Sequence, residues 1–256
     1  MTTIEENVSN EFRVGDTLSV TFSVFFKKFI PLNILVLIFQ VPMLIWSVSS
    51  GMFTTSIENP GALAANFGTE LIWVLIVSII LSLASAAAVT YGVFLEITGR
   101  NINIGECLSK SISVLLPVIF AGIISYIILV VGTILLIVPG IFALMCLFVV
   151  IPVVVVEQPG VFRSLGRSAE LTKGNRWSIL GLFIVMIAIS IGLGLVSQFV
   201  TLLFLGMGMS IVAIVISTIV QVITTTFFLI IGAVTYNNLR KSKEGISSDE
   251  IASVFA

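Results

Sequence analysis

Polar and apolar residues are unevenly distributed along this chain. Four long windows contain no Asp, Glu, Lys or Arg: Phe29–Ile57, Leu71–Leu95, Ser111–Val156 and Trp177–Leu239, of 29, 25, 46 and 63 residues. A helix that crosses the hydrocarbon core of a bilayer needs roughly 20 apolar residues. The first two windows therefore hold one span each, and the last two hold two each. Pro139-Gly140 is placed to turn the chain inside the third window, because proline lacks a backbone donor and glycine tolerates turn geometry. Gly206-Met207-Gly208 does the same in the fourth. Six helices follow, over approximately 30–49, 71–95, 115–137, 140–156, 177–205 and 209–238. A transmembrane barrel strand alternates apolar and polar residues over about 10 positions. The runs here are continuous, so the pattern predicts an all-α membrane protein.

Composition agrees with that reading. Of 256 residues, 58% are hydrophobic and 10% charged, and the mean hydropathy is +1.21. A soluble domain carries about 25% charged residues, which excludes a water-soluble enzyme and a disordered chain.

The basic residues set the orientation. Arg13, Lys27 and Lys28 precede span one, and Arg100 and Lys110 lie between spans two and three. Arg163, Arg167, Lys173 and Arg176 lie between spans four and five, while Arg240, Lys241 and Lys243 follow span six. All 12 basic residues thus fall on one side of a six-span chain. The opposite loops hold none; the longest, roughly 50–70, has Glu58 and Glu70. Lys and Arg are retained on the cytoplasmic side during insertion, so both termini are expected in the cytoplasm and the protein in the cell (inner) membrane. Glu5 and Glu6 leave the first ten residues without a basic region, so the first span is expected to act as the insertion signal. A short cytoplasmic segment, 1–14, and a polar tail, 241–256, flank a membrane domain over 15–240. Cys107 falls in a cytoplasmic loop and Cys146 in span four, a difference in depth that argues against a disulfide.

Within the membrane domain a pattern recurs three times, over about 15–95, 104–157 and 160–240. Each odd span follows an amphipathic segment: Gly15-Asp16-Thr17-Leu18 through Lys28, Gly105-Glu106-Cys107-Leu108 through Val114, and Gly160-Val161-Phe162-Arg163 through Lys173. Aligning Leu18, Leu108 and Leu165 brings Thr21, Ser111 and Ser168 into register, and likewise Val24, Val114 and Leu171. On the third segment Phe162, Leu165, Ser168 and Leu171 form one stripe, with Arg163, Arg167, Glu170 and Lys173 on the other faces. Such a helix lies in the membrane interface with its charges toward the headgroups. The expected architecture is three helical hairpins, each preceded by a cytoplasmic interfacial helix.

The stretch Leu136-Ile137-Val138-Pro139-Gly140-Ile141, then Pro152 through Glu157, then Gly160 and Leu165-Gly166-Arg167-Ser168-Ala169-Glu170-Leu171-Thr172-Lys173-Gly174, resembles the signature of a bacterial and archaeal membrane family. That family includes YciC-like proteins and the membrane domain fused to some glycerophosphoryl diester phosphodiesterases. The resemblance implies a multi-pass inner-membrane protein and does not imply phosphodiesterase activity. The fused enzymes carry that chemistry on a separate soluble barrel with histidines and metal-binding carboxylates.

Candidate chemistry is sparse. The chain has no histidine, which removes histidine acid–base work and Ser-His-Asp nucleophiles. Two cysteines do not make a four-ligand zinc site, and no P-loop occurs. No catalytic residue, cofactor or metal is expected, and no nucleic-acid partner. Glu96 and Glu157 close spans two and four, each followed within six residues by a basic side chain, Arg100 and Arg163. Glu157, Arg163, Arg167, Ser168, Lys173 and Arg176 are the candidates for a charged gate or an anionic headgroup site. Each Lys or Arg near such a surface contributes about 1 kcal/mol. The same charges also serve simply to fix orientation, with snorkelling stems, and a Glu157–Arg167 pair would anchor the third amphipathic helix to span four.

Inside the bilayer, Ser78, Ser82, Ala86 and Thr90 recur at four-residue spacing on span two, near Ser85. Gln198 on span five and Gln221 and Thr224 on span six are the candidates for a polar interior path, with Gln40 on span one. The same residues also suit hydrogen bonding between helices. Pro31 and Pro117 begin odd spans, where a missing donor costs little, and Pro152 is expected to kink span four near its end. The sequence suggests a membrane protein without catalytic activity, acting in membrane organisation or lipid-linked homeostasis. A small-solute or lipid transporter and an accessory subunit of a partner enzyme are the alternatives. The implied partners are membrane lipids, a second protein or another copy of the chain.

Overall fold

Asp16 in the first turn and Lys27 in the last complement the dipole of helix α1 (Val14–Lys27). The chain breaks at Lys28 and continues as α2 (Phe29–Ser49). The computed structural model describes residues 12–49 and 69–245. Glu5, Glu6, Glu58, the Glu70 side chain, both termini and the tail beyond Gly245 lie outside the described residues. Helix α3 (Thr69–Ile97) runs to Glu96 at its charged end. Asn103 then caps α4 (Ile104–Ser113), its Oδ1 accepting from the backbone N–H groups of Gly105 at 3.0 Å and Glu106 at 3.4 Å. The remaining helices are α5 (Leu115–Leu135), α6 (Ile137–Leu147), α7 (Val150–Val156), α8 (Val161–Thr172), α9 (Arg176–Gly206) and α10 (Ser210–Glu244). No strand occurs among the described residues.

Six helical segments are long and apolar enough to cross a membrane: Phe29–Ser49, Ile72–Ile97, Leu115–Leu135, Ile137–Val156, Arg176–Gly206 and Ser210–Glu244. Large apolar side chains such as Ile134, Val138, Leu195 and Ile211 stand exposed on them. A chain in water would bury that surface; hydrocarbon has no reason to exclude it. The fourth span is one segment broken in two. Pro152 has no N–H to offer the carbonyl four residues back, at Phe148, and the helix is interrupted at Phe148-Val149. The kink expected at Pro152 therefore falls one turn before it.

The turn into that span also differs from the expected one. It lies at Leu136, whose extended backbone (φ −165°, ψ 149°) separates α5 from α6, and Pro139 sits in the first turn of α6, where a missing donor is harmless. Gly140 has a different task. A Cβ there would stand 2.9 Å from the Thr133 Cα, and one on Gly132 would stand 3.2 Å from the Gly140 Cα. Glycine is needed for α5 and α6 to approach, not for the bend. The second turn lies where it was expected, with α9 ending at Gly206 and Gly208 at φ +74°.

Spans α3 and α10 occupy the middle. Helix α3 packs against α2, α5, α7 and α10, and α10 also packs against α2 and α9. The largest apolar cluster lies among them, around Leu32, Leu35, Val89, Val93, Ile230 and Val234. The three short amphipathic helices then follow a cyclic rule. Helix α4 packs on α3, α8 packs on α5, α6 and α7, and α1 packs on α10; α4 and α8 lean on spans that precede them in the chain, and α1 takes the last. Equivalent positions are buried on all three: Thr17, Cys107 and Ser164, then Thr21, Ser111 and Ser168, then Val24, Val114 and Leu171. Small residues at the first two positions allow close approach to the span beneath.

Candidate functional site

The buried hydroxyls of α4 and α8 each reach a backbone carbonyl of the neighbouring span. Ser111 donates to the Ala84 oxygen at 2.6 Å, and Ser168 donates to the Cys146 oxygen at 2.7 Å. On α1, Thr21 donates within its own helix to the Thr17 oxygen at 2.7 Å, and the Asn238 amide on α10 donates to the Thr17 hydroxyl at 3.1 Å. Ser168 is wholly buried, its hydroxyl taken up by that carbonyl.

Around it the charged residues form a chain of contacts. Arg167 Nε donates to Glu157 Oε2 at 3.1 Å and Oε1 at 3.4 Å. The Tyr236 hydroxyl donates to Glu157 Oε1 at 2.9 Å. The far side of the Arg167 guanidinium meets Glu244, whose other oxygen accepts from Arg240 Nε at 2.8 Å. One carboxylate at the end of span four thus binds α8 to α10. Sequence reading anticipated the Glu157–Arg167 pair and missed Tyr236, Arg240 and Glu244. Their four-residue spacing puts them on one face of α10, which is the signal that was available.

The joint is built by the residues of the family-like motif. Gln158 has φ +50° and Gly160 φ +97°, a bend that turns the chain from α7 into α8, and Gly174 at φ +91° ends α8. Leu171 is buried among Met145, Val153 and Tyr236. The motif therefore encodes a mechanical joint.

A second ion pair lies at the end of span two, where Glu96 takes Lys27 at 2.6 Å and Lys28 at 3.2 Å. Arg100, expected beside it, pairs with Glu106 at 3.3 Å, which also accepts from the Tyr91 hydroxyl at 2.7 Å. Cys107 lies buried on α4, within the second amphipathic segment. Burial, then the Glu106 carboxylate, pushes its thiol from 9.0 up to about 11. Both cysteines are free.

The other candidate cations behave differently. Arg163 and Lys173 are exposed on and just past α8 and make no ion pair among the described residues. Arg176 lies over the Phe142 ring at 4.3 Å, with its buried Nε lacking a hydrogen-bond partner. Lys243 sits beside Gly174. Next to these cations, Phe162 is 78% exposed and Trp177 83% exposed.

Away from the charged rim, three adjoining cavities open among α2, α3, α9 and α10. Gln198, Gln221 and Thr224 line one of them together. It adjoins a second at Gln221, lined also by Gln40 and Trp46, and a third at Thr225, lined also by Gln40 and Ser85. Among the described residues no group of three or more His, Cys, Asp or Glu side chains is placed to hold a metal.

Over residues 34–239 the chain matches the family described as Domain of unknown function (DUF7847). That description, and not a YciC-like one, is what the match supports. No curated protein and no solved structure matches the chain.

Proposed function

Since the chain belongs to the family described as Domain of unknown function (DUF7847), we propose that it is a non-catalytic, multi-pass protein of the cell (inner) membrane that holds anionic lipid along a cytoplasmic rim. In this reading α1, α4 and α8 lie in the interface at the feet of three helical hairpins, and both termini are cytoplasmic. The role is membrane organisation or lipid-linked homeostasis. Kinship with YciC-like proteins is part of the proposal and rests on the motif from Glu157 to Gly174.

One observation carries the lipid assignment. Arg163 and Lys173 are exposed and unpaired among the described residues, while Arg167, between them in sequence, is taken up by Glu157 and Glu244. Cations without acid partners beside exposed Phe162 and Trp177 suit a surface that meets headgroups with its charges and the acyl boundary with its rings. Arg176 and Lys243 extend the same patch.

The test is native mass spectrometry of protein extracted from mixed phosphatidylglycerol and phosphatidylcholine nanodiscs. Arg163→Gln with Lys173→Gln lowers phosphatidylglycerol affinity about thirtyfold, from about 1 kcal/mol per charge. Equal phosphatidylglycerol retention by the variant and the parent overturns the assignment.

A further inference from the structure

We propose that the cavities among α2, α3, α9 and α10 form a binding site for a neutral polyol, taken up through hydrogen bonds from Gln40, Gln221 and Ser85. The site lies away from the charged rim and does not depend on the lipid reading above.

Polar groups gather at these cavities without partners that explain them. Every glutamine of the six spans, Gln40, Gln198 and Gln221, lines these cavities. A carboxamide carries two donors and two acceptor positions, and leaving such groups unsatisfied in hydrocarbon costs several kcal/mol. Helix-to-helix bonding does not account for them. The one hydrogen bond among the three is from Gln221 Nε2 to Thr225 Oγ1 at 3.5 Å, within α10.

Ser85 supplies an independent sign. It is 3% exposed, it lines the cavity shared with Gln40 and Thr225, and its hydroxyl has no hydrogen-bond partner. Serines inside helices ordinarily return their hydroxyl to a carbonyl of the preceding turn, as Ser78 does with Leu75 at 2.9 Å. Ser85 instead leaves a buried donor and acceptor at the cavity wall.

Size and charge define the ligand. The two cavities at Gln221 have volumes of about 350 Å³ each, within the range of roughly 300–1,000 Å³ that small-molecule sites occupy; the one at Ser85 is about 50 Å³, a side recess that admits a single hydroxyl of a ring seated beside Gln40. No Asp, Glu, Lys or Arg lines any of the three. An ion brought to that depth would have no counter-charge, which is costly in the bilayer, so the ligand is uncharged. Carboxamides and hydroxyls present donors and acceptors together, the pattern that neighbouring hydroxyl groups satisfy. Phe39, Trp46 and Phe228 add flat apolar walls for the C–H face of a ring. A hexose or inositol, free or carried as a lipid headgroup, has this chemistry.

Trp46 on the cavity wall is a built-in reporter. In the full chain carrying Trp73→Phe and Trp177→Phe, held in nanodiscs, Trp46 emission is followed against glucose and myo-inositol, and separately against glucosyl diacylglycerol in the disc lipid. Phosphatidylglycerol serves as the headgroup control. A saturable change with the free polyols assigns a solute site, and one with the glycolipid alone assigns a headgroup site. Gln40→Leu with Gln221→Leu weakens the response about tenfold. Ser85→Ala weakens it severalfold while leaving thermal stability unchanged, because that hydroxyl bonds nothing within the protein. No saturable response to any of the three probes, or a response untouched by Ser85→Ala and the double glutamine change, overturns the proposal.

Discussion

Ser168 donates its hydroxyl to the carbonyl oxygen of Cys146 at 2.7 Å, just ahead of the interruption at Phe148-Val149 in span four. This bond fixes α8 to the span where the span is weakest. Ser168→Ala leaves a buried carbonyl without that donor and costs about 1–2 kcal/mol. Ser111→Ala, which removes the equivalent bond to Ala84, costs a similar amount. Thermal unfolding in detergent measures both. Midpoints equal to the parent's in the two variants refute the structural role.

The Glu157–Arg167 pair joins α7 to α8 with both side chains mostly buried. Arg167→Gln alone leaves Glu157 without a guanidinium and Glu244 with Arg240 only, and Glu157→Gln alone leaves Arg167 with Glu244. A double-mutant cycle on unfolding free energy is expected to give a coupling of about 1 kcal/mol. A coupling of zero would mean that Tyr236 alone holds Glu157.

Gly140 permits the contact between α5 and α6. Gly140→Ala forces its Cβ against Thr133 and lowers stability by about 1–3 kcal/mol. Pro139→Ala, at a harmless first-turn position, leaves stability nearly unchanged. Melting curves of the two variants separate a packing role from a turn role, and equal losses contradict the assignment.

The thiol of Cys107 is raised from 9.0 to about 11, first by burial and then by Glu106. A folded-state value above the unfolded one favours the native state while the thiol is protonated. The resulting stability is fully present below pH 9 and is lost as pH rises through 11. Melts between pH 7.5 and 11 are expected to fall more steeply for the parent than for Cys107→Ala. Maleimide labelling of the native protein at pH 7.5 should leave this cysteine unmodified.

Both termini are expected on the same, cytoplasmic side, since all 12 basic residues fall on one side of a six-span chain. Reporter fusions at Met1 and Ala256 read this directly. One result on the opposite side ends the six-span topology.

Much of the architecture was legible because apolar spans and charged ends are local signals. The charge-free windows located all six spans, and the alignment of Thr21, Ser111 and Ser168 picked out residues that share a buried position. Local signals misled where two roles share a residue type. Pro139-Gly140 looks like a turn, yet the chain turns at Leu136 and the glycine serves helix contact. Pro152 marks a kink whose position is set by the carbonyl four residues earlier. The Tyr236–Glu157 bond joins residues separated by 79 positions, which no local pattern reveals. Ser85 sits beside a small-residue stripe that suits helix packing, and its missing partner sets it apart from Ser78.

The cyclic rule of the short helices has a consequence for synthesis. Thr17 on α1 accepts from Asn238 on α10, 221 positions later. At roughly 5–20 residues per second, α1 leaves the ribosome some ten to forty seconds before its partner exists. During that interval its buried face, with Thr17, Thr21 and Val24, lacks the span it packs on most. Helices α4 and α8 meet partners already made. The packing of the short helices is therefore incomplete until translation of the sixth span supplies that partner, and a ribosome stalled before α10 leaves α1 as the exposed edge that quality-control proteases can grip.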